Sequence, residues 1–219
     1  SPAAINQAPC SPGSYQPSAG QSSCMDADPG YYVDSSASTS QTPCWPGTYN
    51  PDSGSVNSSA CLLADPGHYV DTNASESQTP CGLGTYNPDS GSNSSEACLD
   101  ADPGFYVDGS GEASQTPCEI GQYQPDSGMS WCGDADPGHY VDTNASSTQT
   151  PCGLGTYNPD SGSDNSSACL LADPGHYVDT NASTTQSPCS PGSYQNGTGQ
   201  TGCRLADIGY FADGDGSAN

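Results

Sequence analysis

The sequence predicts a small, disulfide-rich all-β protein. It is laid out as a linear array, a rod or solenoid of six two-cysteine repeats with short β-ribbons and turns and little or no helix. Three observations carry this. Twelve cysteines alternate between two spacings along 219 residues. Turn formers are dense, with 27 Gly and 20 Pro, and no stretch shows the i, i+3, i+4 apolar spacing of an amphipathic helix. Only 31% of residues are apolar, too few for one large core.

The cysteines fall at 10, 24, 44, 61, 81, 98, 118, 132, 152, 169, 189 and 203. Calling alternate members Cys a and Cys b, every step from b to the next a is 20 residues, and every step from a to b is 14 or 17. A period of 34 or 37 residues follows. It divides the chain into residues 1–9, the end of a preceding repeat, then copies at 10–43, 44–80, 81–117, 118–151, 152–188 and an incomplete 189–219.

An even cysteine count without the C-x2-C pairs of zinc sites indicates disulfides kept in an oxidising, extracellular setting. Pairing within a copy and pairing across copies both fit the spacing. The within-copy set is favoured: Cys10 with Cys24, Cys44 with Cys61, Cys81 with Cys98, Cys118 with Cys132, Cys152 with Cys169 and Cys189 with Cys203. The a-to-b segment carries a Pro-Asp-Ser-Gly turn (Pro51–Gly54) and absorbs the three-residue length change, as the tip of a closed loop can. Each such loop restricts the unfolded chain by about 3 kcal/mol.

Within a copy, the Gly-Thr-Tyr-Asn-Pro after Cys a reads as a short strand ended by Pro, with Gly at a+3 and Tyr at a+5 throughout (Gly47 and Tyr49, for example). After Cys b, Ala-Asp-Pro-Gly makes a turn that delivers the chain into an x-Tyr-Val-Asp strand, as in Ala64–Asp71. Gln at a−3 and Pro at a−1 complete the copy (Gln41, Pro43). One copy holds about two Tyr, a third ring or His, one Val and the cystine, too little to fold alone. Rings of one copy are therefore expected to pack on the cystine and turn of the next.

Cys44-Trp45-Pro46-Gly47-Thr48-Tyr49-Asn50-Pro51, a C-x-x-G-x-Y-x-P stretch, and the 14-residue cysteine spacing resemble the cysteine-rich repeats of ephrin-receptor-like and TNF-receptor-like ectodomain modules. The Ala-Asp-Pro-Gly-x-Tyr-Val-Asp arrays look like those of surface proteins of aquatic microbes. The resemblance implies a disulfide-stapled fold and an extracellular place. The chain departs from the receptor modules in having only two cysteines per copy.

Chemistry has few footholds. With 25 Asp and Glu against the single Arg204, the formal net charge is −24, which repels nucleic acid and anionic lipid. No apolar run approaches the roughly 20 residues of a membrane span, so direct membrane insertion by this segment is not expected. His68, His139 and His176 stand where other copies carry Tyr31, Phe105 and Tyr210, which marks them as packing platforms rather than general bases. No catalytic set and no cofactor are expected. Asp65 with Asp71 and Asp173 with Asp179 are the candidate calcium ligands, at two carboxylates per copy.

Glycosylation is the strongest remaining signal. Given 12 Asn, 35 Ser and 16 Thr, about three N-x-S/T sequons are expected from composition. Seven occur: Asn57, Asn73, Asn93, Asn144, Asn165, Asn181 and Asn196. Asn57, Asn93 and Asn165 lie in the tips of the 17-residue loops, and Asn73, Asn144 and Asn181 lie in Val-Asp-Thr-Asn-Ala-Ser. Covalent glycans are expected there, with O-linked sugar on Ser and Thr.

The sequence starts and stops within a b-to-a segment, an arrangement that suits head-to-tail self-assembly or a window of a longer chain. The expectation is thus a non-enzymatic extracellular structural repeat protein, the spine of a glycosylated surface filament, fibril or stalk, whose partners are itself or other surface proteins. The alternative is a receptor or adhesin ectodomain whose repeats present a ligand-binding site, with Trp45 and Met129-Ser130-Trp131 as the unusual exposed groups.

Overall fold

The structure, a computed structural model, describes residues 7–218. The assignment of residues 1–9 to a preceding repeat lies largely outside that range. The chain divides into two compact units, Ser1–Asp100 with Val107–Gln115 and Ala101–Tyr106 with Thr116–Asn219.

The all-β expectation holds. Among the described residues the regular structure is eleven two-stranded antiparallel hairpins and three single-turn 3₁₀ helices. In the first unit Ser14–Tyr15 pairs with Met25–Asp26, Tyr31–Tyr32 with Thr42–Pro43, Thr48–Tyr49 with Leu62–Leu63, His68–Tyr69 with Thr79–Pro80, and Thr85–Tyr86 with Leu99–Asp100. In the second, Phe105–Tyr106 pairs with Thr116–Pro117, Gln122–Tyr123 with Gly133–Asp134, His139–Tyr140 with Thr150–Pro151, Thr156–Tyr157 with Leu170–Leu171, His176–Tyr177 with Ser187–Pro188, and Ser193–Tyr194 with Arg204–Leu205.

Each of the first five sequence copies therefore contains two hairpins of the same design, and the incomplete sixth contains one among the described residues. In the hairpin that follows Cys44, Gly47, Asn50 and Gly54 stand 3, 6 and 10 residues on. In the hairpin that follows Ala64, Gly67, Val70 and Ala74 stand at the same offsets. Cys and Ala thus share one buried position, and Asn or Gln shares another with Val. Cys44, Ala64, Cys81 and Ala101 are at most 1% exposed, as are Asn50 and Asn87, while Val70 and Val107 are 2% exposed. We call the two designs cystine hairpins and alanine hairpins.

Backbone joins one hairpin to the next. Gly47 N–H donates to Val70 O at 2.7 Å, Ala64 N–H to Gly47 O at 2.9 Å, Asn50 N–H to Ser75 O at 2.9 Å and Ala74 N–H to Cys44 O at 2.9 Å. The step from Ala64 to Cys81 uses the same four bonds, through Gly67 to Asn87 O, Cys81 to Gly67 O, Val70 to Ser92 O and Gly91 to Ala64 O. In the second unit Gly155, Ala172, Asn158 and Ala182 repeat the pattern. Burial makes these bonds obligatory, because an unpaired amide in their place would lose its water without a replacement.

Like hairpins also meet like. A Cβ on Gly47 (φ +87°) would lie 2.4 Å from Gly91 O of the next cystine hairpin, and one on Gly67 (φ +85°) would lie 1.9 Å from Gly111 O of the next alanine hairpin. Both the positive φ and the close approach restrict these positions to glycine. The core is consequently made of peptide groups, Cys, Ala, Val and amide side chains. The tyrosines, expected to pack on the next copy, are half-buried in the first strands of the hairpins, as at Tyr49, Tyr69, Tyr86 and Tyr106. The third ring does behave as expected at His68, whose Cε1 would lie 2.9 Å from a Cβ on Gly111 in the next copy's turn.

Candidate functional site

Cystines close the six cystine hairpins: Cys10–Cys24, Cys44–Cys61, Cys81–Cys98, Cys118–Cys132, Cys152–Cys169 and Cys189–Cys203. Their Cα separations of 5.5 to 5.8 Å are ordinary for a disulfide. Cys a is buried in each, whereas Cys b faces outward, from half-buried Cys61 to exposed Cys24.

Alanine hairpins are closed by a carboxylate and an amide. Asp65 N–H donates to Gln78 Oε1 at 2.7 Å, and Gln78 Nε2 donates to Asp65 Oδ2 at 2.7 Å. Asp28 with Gln41, Asp136 with Gln149 and Asp173 with Gln186 do the same. The Gln three residues before Cys44, Cys81, Cys152 and Cys189 thus has a structural role that the sequence reading did not assign. Its signal was available in the constant separation of 13 residues from an Asp.

The calcium candidates Asp65 and Asp173 are the partners in two of these pairs, so each has one carboxylate oxygen occupied. Asp71 and Asp179 are exposed, each just after the first strand of its alanine hairpin. Among the described residues no group of three or more His, Cys, Asp or Glu side chains is placed to hold a metal ion. His68, His139 and His176 are half-buried, each with Nδ1 3.2 to 3.4 Å from the carbonyl of the Pro two residues earlier.

All seven sequon asparagines are exposed. Asn57 and Asn165 cap the 3₁₀ turns Ser58–Ala60 and Ser166–Ala168, accepting from Ser59 N–H at 3.0 Å and Ser167 N–H at 2.9 Å. Asn93 departs from this phase. It sits one residue earlier in its loop, and Ser94 provides the cap by accepting from Glu96 N–H at 3.1 Å. Asn73, Asn144 and Asn181 precede Ala74, Ala145 and Ala182, all at φ 56 to 58°. Asn144 Oδ1 accepts from Ile120 N–H at 3.0 Å.

No protein-family model matches the chain, and no curated protein does. Exposed large apolar groups concentrate on the cystine hairpins: Trp45 at 69%, Leu63 at 59%, Trp131 at 57% and Leu171 at 59%. Trp131 leans on its own hairpin, its ring 3.3 Å from where Gly133 would carry a Cβ, which explains the Gly in a strand position held by Leu62 or Leu99 elsewhere.

In the second unit, Tyr194, Ala206, Asp207, Tyr210 and Phe211 line a half-open cavity of about 400 Å³. Partial burial pushes the Tyr123 phenol up, and the charge of Asp136 together with the hydrogen bond Tyr123 donates to Asp136 Oδ2 at 3.3 Å adds to the shift. No helix is long and apolar enough to cross a membrane among the described residues. Six disulfides suit an oxidising compartment.

Proposed function

We propose that this chain is a non-enzymatic extracellular structural protein, the spine of a glycosylated surface filament, fibril or stalk. The observation that carries the reading is the four-bond backbone junction. It is heterologous, with the donors and acceptors of one hairpin meeting different atoms on the next, so the same contact can propagate between copies of the chain without closing a ring. A core of cystine, Ala, Val, amide side chains and backbone supports a structural role, and the acidic surface favours solubility and disfavours phosphate-bearing partners.

Glycans at the seven exposed sequons would coat this spine. Native material is expected to carry sugar at several of Asn57, Asn73, Asn93, Asn144, Asn165, Asn181 and Asn196 by peptide mass spectrometry. Unmodified Asn at all seven would sink the coated spine. Electron microscopy of the same material separates the two functional readings. Long uniform fibres are expected for a spine. Separate short particles would favour an adhesin or receptor ectodomain, a reading supported by the outward-facing Trp45, Leu63 and Trp131.

A further inference from the structure

The two hairpin designs are closed at the same place by bonds of different strength. Cys44 lies four residues before its first strand and Cys61 one residue before its second; Ala64 and Gln78 hold those same positions in the next hairpin. The registers agree as well, with Thr48 opposite Leu63 and Tyr49 opposite Leu62 in one, His68 opposite Pro80 and Tyr69 opposite Thr79 in the other. Where the cystine hairpin has a covalent bond, the alanine hairpin has the Asp65–Gln78 pair.

We propose that the chain is a tether of limited extensibility, in which the alanine hairpins open and reclose under tension while the cystine hairpins stay shut as covalent stops. The inference needs only the alternation of closures and holds whether or not the chain forms filaments. Hydrogen bonds net about 1 kcal/mol each and yield to modest force, whereas the S–S bond does not dissociate under the same load. The five segments from Cys24 to Cys44, Cys61 to Cys81, Cys98 to Cys118, Cys132 to Cys152 and Cys169 to Cys189 each span 20 residues. At 3.3 to 3.6 Å per residue each can release about 7 nm of contour. The 14 or 17 residues inside each cystine loop are withheld. Reclosing is local, because Asp65 and Gln78 are 13 residues apart and loops of that size meet rapidly.

The full oxidised chain, held by tags at its two ends in an optical trap, is expected to lengthen in reversible steps of up to about 7 nm and then to stop. Adding reductant should release about 5 to 6 nm more for each cystine loop. A single irreversible rupture, with no recovery on relaxation, would overturn the proposal. A second measurement probes the equivalence of the closures. The double substitution Ala64→Cys with Gln78→Cys is expected to oxidise without leaving a free thiol and to shorten the oxidised extension by about 5 nm. Two free thiols in the folded double variant would show that Ala64 and Gln78 are not placed as a cystine is, and would also overturn it. The parent trace needs no substitution, so a double variant that fails to fold leaves the first criterion in force.

Discussion

The 14-residue and 17-residue cystine loops fill the same buried amide position in two ways. In the short loops Gln124 Nε2 reaches across its own loop to Trp131 O at 2.9 Å, and Gln195 does the same to Gly202 O at 2.9 Å. In the long loops Asn87 Nδ2 turns back to the preceding hairpin, donating to His68 O at 2.9 Å and to its own Ser92 Oγ at 2.9 Å; Asn158 does so with His139 O and Ser163 Oγ. Both side chains also accept from a backbone N–H two residues on, Asp126 for Gln124 and Asp89 for Asn87. The three added residues form a self-capped 3₁₀ turn, so the long loop no longer needs the extra methylene of Gln to span it. Loop length and amide identity therefore change together, and the short loop depends more on its cystine.

Removing cystines tests this dependence most severely. Cys118→Ala with Cys132→Ala, in a short loop, and Cys81→Ala with Cys98→Ala, in a long one, are each expected to lose about 3 kcal/mol in denaturant unfolding. Chain entropy alone separates 14 from 17 residues by only about 0.2 kcal/mol. We expect the short loop to lose about 1 kcal/mol more, through the cross-loop bond of Gln124; equal losses would erase the distinction.

Exchanging the amides sharpens it. Asn87→Gln should overpack a position that is 1% exposed, and Gln124→Asn should leave Trp131 O without its donor. Each is expected to cost about 2 kcal/mol by the same measurement. A neutral Asn87→Gln would mean that loop length does not select the side chain.

The smallest effect is electrostatic and confined to a short-loop hairpin. Tyr123 has its folded pKa raised by desolvation and by Asp136, so its contribution is complete below the unfolded value of about 10 and is lost as pH rises through the folded value. Melting curves between about pH 9 and pH 11 should therefore fall less steeply for Tyr123→Phe than for the parent chain. Parallel profiles would leave Tyr123 without a role in alkaline stability.

Much of this was legible in the residues. Cysteine spacing and the Asp-Pro-Gly turns point to stapled ribbons, because turn chemistry and loop closure are local. The half-length repeat was not legible, since a cystine half and an Ala, or Asn and Val, differ in chemistry. They share a position because it is defined by small volume and by the backbone bonds around it, as Cys44 with Ala64 and Asn50 with Val70 show. The hairpins approach through backbone at Gly47 and Gly91, too closely to admit rings between them, and the tyrosines stay half-buried.

An interior composed of peptide groups, amides and cystine has a thermal consequence. Heat capacity rises on unfolding when hydrocarbon meets water and falls when peptide does. With little hydrocarbon hidden, this chain should show an increment well below the usual figure of about 12 to 15 cal/mol/K per residue. Its stability would then change slowly with temperature in both directions, in contrast to a domain held by a hydrocarbon core.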